Sequence, residues 1–330
     1  MLLLAILAAV PTDPAMGSIK TFADWAVACD NVRACEMTAL APDGGDWPDD
    51  GPRLASIERK AGPDGTFRVS IDAGDAKGDA VVAIDGQRIG AGRIAEGQVT
   101  LTGADAARLV TAAANGTALT LADARGKMIA RVSLKGSSAA LRFIDAEQGR
   151  AGGVTAAIAR GPKPASAVPA PPAVPRIVGV KADGTAVPIT AAMRAQMEKM
   201  VDCSSNYSDD NPAPEVETAA LGGGATLALL PCGNGAYNFS SVAFIVRGSK
   251  VETADFDYLG DAELLTNAGW DPKKSELSTY SKGRGVGDCG ESARYIWDGT
   301  SFRAIEVREM DECRGSINWL RIWHAEAVTR

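Results

Sequence analysis

The chain has 330 residues, enough for two ordinary domains that each bury a core of their own. Its 41 acidic residues against 34 basic ones give a net charge of −7. No basic stripe stands out, which argues against nucleic acid as a partner.

The first ten residues are apolar. That is too short to cross a bilayer and fits the hydrophobic part of a secretory signal, so residues 1–17 read as a signal peptide. It is atypical or truncated, because the expected basic start is missing, and cleavage after Ala9 or after Gly17 fits equally. No later segment reaches the roughly 18 apolar residues of a stable membrane span. Six cysteines, an even number, suit an oxidising compartment such as the periplasm once export is accepted.

Residues 22–29 alternate as a strand, and the chain begins its return at Cys35. Residues 43–50 form an acidic loop, whose carboxylates lack the fixed spacing of a calcium site. Strands follow at 54–59 and 67–71, and Asp85-Gly86 predicts a hairpin within 81–89. Thr102 three residues before Asp105 resembles a capping box that opens a helix ending at Asn115-Gly116. A further hairpin turns at Arg125-Gly126. Residues 138–148 form a short amphipathic helix with Leu141, Phe143 and Ile144 inward.

Residues 161–175 hold six prolines and predict a semi-rigid extended linker. Beyond it, Thr190 caps a helix running to Val201 with Met193, Met197 and Met200 on one face, and this helix delivers Cys203 to the domain surface. An acidic loop at 209–217 precedes strands at 226–230 and 242–246, and residues 264–270 read as a short helix or turn. Asp298-Gly299 lies between two runs of β-formers, 294–297 and 302–307. A two-residue loop there places Tyr295 opposite Phe302 and Cys289 opposite Arg308. Residues 317–325 close the chain as a strand carrying Trp319 and Trp323.

The linker separates Cys29 and Cys35 from the other four cysteines, which predicts a Cys29–Cys35 bond. Nearest-neighbour pairing then gives Cys203–Cys232 and Cys289–Cys313, although six thiols allow about 15 arrangements. The last bond requires the chain to bend through residues 309–312.

Motifs for chemistry are few. Residues 285–290 satisfy G-x-G-x-x-G, but an Asp and a cysteine interrupt the motif and a hairpin follows in place of a helix, so no dinucleotide cofactor is expected. The glycines at 222–224 lack the Lys-Ser/Thr of a phosphate loop. The Asp255–Gly260 stretch fails as a calcium loop at Leu259 and Thr266. The only histidine is His324, and no Cys-x₂-Cys pair or Gly-x-Ser-x-Gly elbow occurs. No catalytic residue, metal ligand or cofactor is therefore assigned. Arg284, Asp288, Trp297 and Arg314, around the 289–313 clamp, are the candidate binding residues. Two guanidiniums beside glycine-exposed backbone suit a carboxylate, unless Asp288 or Glu291 already pairs with them.

Trp25, Cys29 and Cys35, with Val132-Ser133-Leu134-Lys135-Gly136 and Ala139-Ala140-Leu141, resemble the invasion-associated locus B family of exported proteobacterial proteins. The second cysteine pair usual in those proteins is missing. Asp145 to Gly152, Ala159 to Pro164, Gly283 to Gly290, Trp297-Asp298-Gly299 and Cys313-Arg314-Gly315 resemble a proteobacterial six-cysteine family of unknown function. That resemblance implies a periplasmic address and carries no activity.

The combined reading is an α+β protein, predominantly antiparallel β. Two disulfide-bonded, β-rich domains at 18–160 and 177–330 are joined by the proline-rich linker at 161–176. Its expected role is non-enzymatic binding of an envelope protein or cell-wall component. The alternatives are a lysozyme-inhibitor-like protein and a carboxylate-based envelope hydrolase.

Overall fold

The structure is a computed structural model and describes residues 15–42, 53–203, 207–208, 210, 212–258 and 264–330. Most of the predicted signal and the acidic loop at 43–50 lie outside the described residues. Among the described residues, the build is mostly antiparallel β with three α-helices, and the antiparallel β-rich class is the one the sequence predicts.

In the amino-terminal half, one sheet orders the strands Lys20–Phe22, Trp25–Cys29, Cys35–Ala39, Ala55–Arg59, Phe67–Asp72 and Gln98–Thr102 as consecutive antiparallel neighbours. A second sheet orders Met128–Ser133, Ala118–Asp123, Gly78–Ile84 and Gln87–Ile94. Two helices, α1 (Gly103–Ala113) and α2 (Ser137–Glu147), pack with the sheets around a core that includes Trp25, Met37, Val69, Val82, Leu109 and Leu141. The hairpin at Asp85-Gly86 forms as read, with both residues at positive φ, as a two-residue I′-type turn requires. The capping box does not form. Thr102 makes no side-chain cap bond, Asp105 pairs with Arg108 instead, and α1 stops at Ala113.

Among the described residues, the carboxyl-terminal half has a two-stranded parallel sheet of Arg176–Gly179 with Glu326–Thr329 and two five-stranded sheets. One orders Glu217–Gly222, Ala225–Asn234, Phe239–Arg247 and Lys250–Thr253, with Leu265–Thr266 also pairing on Phe239–Arg247. The other orders Gly269–Asp271, Glu276–Lys282, Gly290–Trp297, Phe302–Met310 and Leu320–His324. The segment read as a helix or turn at 264–270 thus contributes short strands. Ala225–Asn234 is buried on both faces, with Leu227 and Leu229 in one core cluster and Ala228 and Leu230 in another. The second cluster receives Met197 from α3 (Ala191–Met200), whose Thr190 cap forms, and the Cys203–Cys232 bond. Cys203 is buried there and not at the surface.

The hairpin at Asp298-Gly299 has a different register from the expected one. Its loop is four residues long, because the Asp298 carboxylate accepts from the backbone of Thr300 and Ser301 at 2.8 Å each. Trp297 therefore faces Phe302, and a bulge between Arg294 and Tyr295 sets Tyr295 opposite Ala304. Gly290 then lies opposite Met310, which leaves a shorter bend to Cys313 than the simple register implies.

The two halves share buried surface. Trp25–Cys29 is the sequence Trp-Ala-Val-Ala-Cys, and every one of its residues is buried. Its larger side chains face the amino-terminal core. Ala26 and Ala28 join Leu40 in the core cluster built from Phe302, Trp319 and Leu320. Small side chains on that face let the other half approach closely. Polar bonds ring this contact: Arg308 to Glu36 at 3.1 Å, Arg321 to Asp30 at 2.8 Å, and Thr38 to Ser316 at 2.9 Å. Asn31 also makes a reciprocal pair with the backbone of His324. The proline-rich segment lies along the amino-terminal half. A methyl group added at Gly62 or Gly149 would meet Pro171 or Pro169 at about the 3 Å limit of contact.

Candidate functional site

Cys289 bonds Cys313 and so joins two loops, 283–289 and 311–319, at the end of the hairpin. Glycine is required where the backbone is crowded. A methyl group at Gly290 would lie 1.9 Å from the Ser281 carbonyl oxygen, and one at Gly283 would lie 2.7 Å from the Cys289 sulfur.

Asp288 sits beneath this crossing with almost no exposure. It accepts from Arg284 Nε at 2.7 Å, from Arg284 Nη2, and from the Gly315 backbone amide at 2.6 Å. Burial alone would raise its pKa, but the Arg284 hydrogen bonds and the Gly315 amide outweigh it and hold the carboxyl below its ordinary value. The hydrogen bond to Asp288 in turn raises Arg284.

Arg314 is oriented away from this pair. Its guanidinium donates to Ala41 O at 2.8 Å, to Ala23 O at 2.6 Å and to Asp24 Oδ1 at 2.6 Å, all in the amino-terminal half. Trp297 is buried at the far end of its strand, with the Arg247 guanidinium 5.7 Å from its ring centre. The structure thus brings Arg284 and Asp288 together, commits Arg314 to the junction and leaves Trp297 in the core.

The loops also present apolar side chains that the sequence reading missed. Val286 is 69% exposed and Ile317 is 79% exposed. Tyr237 and Tyr280 are each about two-fifths exposed. Both tyrosines border the 283–289 loop: the Tyr237 hydroxyl bonds Gly283 O at 3.4 Å, and a methyl group at Gly287 would lie 3.2 Å from the Tyr280 hydroxyl. Tyr280 stacks on Trp319 with ring centres 4.6 Å apart. The signal available in the sequence was an aliphatic residue inside a glycine loop, Val286. Ile317 was hidden because the expected strand began there, whereas the strand begins at Leu320.

A second polar cluster lies on the same hairpin. Glu291 and Glu309 face each other across the ladder, and the Tyr258 hydroxyl bonds Glu309 at 2.6 Å and Glu291 at 3.1 Å. Burial raises the Glu291 pKa, the facing Glu309 charge raises it further, and the Tyr258 bond only partly offsets both. One phenol proton serves two carboxylates, so this is a strand-to-strand crosslink short of a donor. Among the described residues, no group of three His, Cys, Asp or Glu side chains is placed to hold a metal. No described helix is long and apolar enough to cross a membrane.

Residues 19–326 match the family described as protein of unknown function (DUF1176). An uncharacterized protein of Escherichia coli (strain K12), YpfG, is 29% identical over 333 residues, which covers 92% of each chain. No solved structure matches this chain.

Proposed function

This chain belongs to that family of unknown function, and from that premise we propose that it is a non-enzymatic periplasmic protein that binds another envelope protein through the clamped loops. The observation that carries the reading is the apolar surface of Val286, Ile317, Tyr237 and Tyr280. Exposed aliphatic and aromatic side chains on a pre-ordered backbone are what a protein interface uses as anchors. The Cys289–Cys313 bond and the Asp288 bonds to Arg284 and Gly315 lower the ordering cost of binding. Arg284, on the rim, adds polar register. The signal-like apolar segment and the three disulfides support the envelope address. A lysozyme-inhibitor-like role is one form of the same reading, in which these loops cover a hydrolase.

The test is a double variant, Val286→Asp with Ile317→Asp. Both positions are exposed, so melting and circular dichroism stay at wild-type values. Crosslinking in the periplasm followed by mass spectrometry should show the wild-type partner lost from the variant. A folded variant that keeps every wild-type partner would place the interface elsewhere.

A further inference from the structure

The amino-terminal half contains a pocket of about 490 Å³ whose chemistry the clamped loops do not share. Its walls include Arg59, Phe67, Val110, Arg150, Val154 and Arg160, and it reaches the start of α1 at Gly103 and Ala104.

The charges behind the pocket do not balance. Arg59 is 4% exposed and Arg150 is 1% exposed. Among the described residues, the one buried carboxylate between them is Asp145, which Arg59 Nη1 meets at 3.2 Å. Asp145 is already shared with three backbone amides, those of Ala157, Ile158 and Ala159. Arg150 is held by Gln148, Thr155 and the Gly62 carbonyl, none of which carries charge. Burial and the neighbouring Arg150 push Arg59 down to about 10. Its Nε is buried with no hydrogen-bond partner among the described residues, and the Phe67 ring covers the guanidinium at 4.2 Å. A buried cation without its own counter-charge is costly, and the usual remedy is an anion.

Two further features point the same way. The first amides of a helix have no partner within the helix and carry partial positive charge. At α1 the Thr102 hydroxyl does not take one of them. Arg160 stands at the exposed rim, bonded to Thr111 Oγ1 at 3.3 Å, and among the described residues Asp64 is the only acidic side chain lining the pocket. The remaining wall is apolar, with Val154 exposed at the mouth. We propose that this pocket binds a small organic carboxylate, its charged end toward Arg59, Arg150 and the start of α1 and its apolar body along Phe67, Val110 and Val154. One surplus buried charge matches a monoanion with an apolar body better than a multiply charged phosphate.

The experiment titrates the full chain with octanoate, octanol and inorganic phosphate by calorimetry and thermal shift. Octanoate should bind saturably and raise the melting temperature, with octanol at least about tenfold weaker because it lacks the charge. Substituting Arg59 or Arg150 risks the fold, so the variants are Ala107→Glu and Arg160→Gln, both at exposed positions lining the pocket. Ala107→Glu supplies a competing carboxylate and should weaken octanoate about tenfold or more, with the melting temperature of the free protein unchanged. Arg160→Gln should weaken it about threefold, as expected for a screened surface charge. Equal binding of octanol and octanoate would reduce the site to an apolar cavity and overturn the proposal. So would phosphate binding more tightly than octanoate, unchanged affinity in Ala107→Glu, or no saturable binding at all.

Discussion

The pocket behind Arg59 and the clamp beside Arg284 are built from the same parts and reach opposite charge balances. At the clamp each arginine has a carboxylate: Arg284 bonds Asp288, and Arg314 bonds Asp24. At the pocket two buried arginines flank one carboxylate that backbone amides already hold. Residue type does not separate a structural guanidinium from one awaiting a ligand. The local count of compensating charges does, because a half-buried pair is stable only as a pair. The clamp region therefore offers its apolar side chains for recognition, and the pocket offers its charge.

The strongest way to break this comparison is to unbalance the clamp side at the junction. Asp24 accepts from Arg314 through Oδ1 and from the Ser133 hydroxyl through Oδ2 at 2.7 Å. Asp24→Ala removes the carboxylate from a mostly buried guanidinium and should cost about 3–4 kcal/mol by denaturant titration. A double-mutant cycle with Arg314→Met should recover much of that loss, since both charges then leave together. A cost below about 1 kcal/mol would mean that the junction does not depend on its paired charges.

Opening the clamp itself comes next. Cys289→Ser with Cys313→Ser frees a loop of 24 residues' separation and should cost about 3 kcal/mol in the disulfide-entropy model. Arg284→Gln should cost less, about 1 kcal/mol, because this arginine is partly exposed and the Gly315 amide still serves Asp288. Asp288 has a depressed folded pKa. Its contribution is complete above the unfolded value of 3.8 and is lost as pH falls through the folded one. Arg284→Gln should narrow that acid-side dependence. An unchanged acid limb would assign the depression to the Gly315 amide and not to the ion pair.

What was legible in the sequence was mostly local. The three disulfides follow the nearest-neighbour pairing that the linker and spacing suggest. The Asp85-Gly86 turn and the Thr190 cap depend on residues within a few positions of each other. Local rules failed where a side chain had two uses. Asp298 folds its carboxylate onto Thr300 and Ser301, which lengthens the loop and shifts the register. Thr102 and Asp105 have capping chemistry, but Asp105 pairs with Arg108. The junction was invisible because Ala26 and Ala28 look like filler in a half-exposed strand. Only the opposing sheet shows that their small size is required. The pocket was invisible for a different reason. Arg59 meets Asp145 across 86 positions, and a surplus of charge has no motif.

The smallest expected effect sharpens the comparison from the opposite sign. Glu291 and Glu309 are two partly buried carboxylates that share the single proton of Tyr258, so here the negative charge is in excess. Burial and Glu309 raise the folded pKa of Glu291 above its ordinary value of 4.5. Between the unfolded and folded values, the folded state binds the proton more tightly, so stability falls as pH rises through that window. Like charges facing each other across a strand pair are destabilising. Glu291→Gln removes one charge and keeps the shape, and its amide supplies the donor that the cluster lacks. The variant should be about 1 kcal/mol more stable than wild type at pH 7. The advantage should disappear below pH 4.5, where the wild-type carboxyl is protonated in both states. An advantage of equal size at pH 4 and pH 7 would assign the gain to packing. No gain at neutral pH would mean that Tyr258 already satisfies both carboxylates.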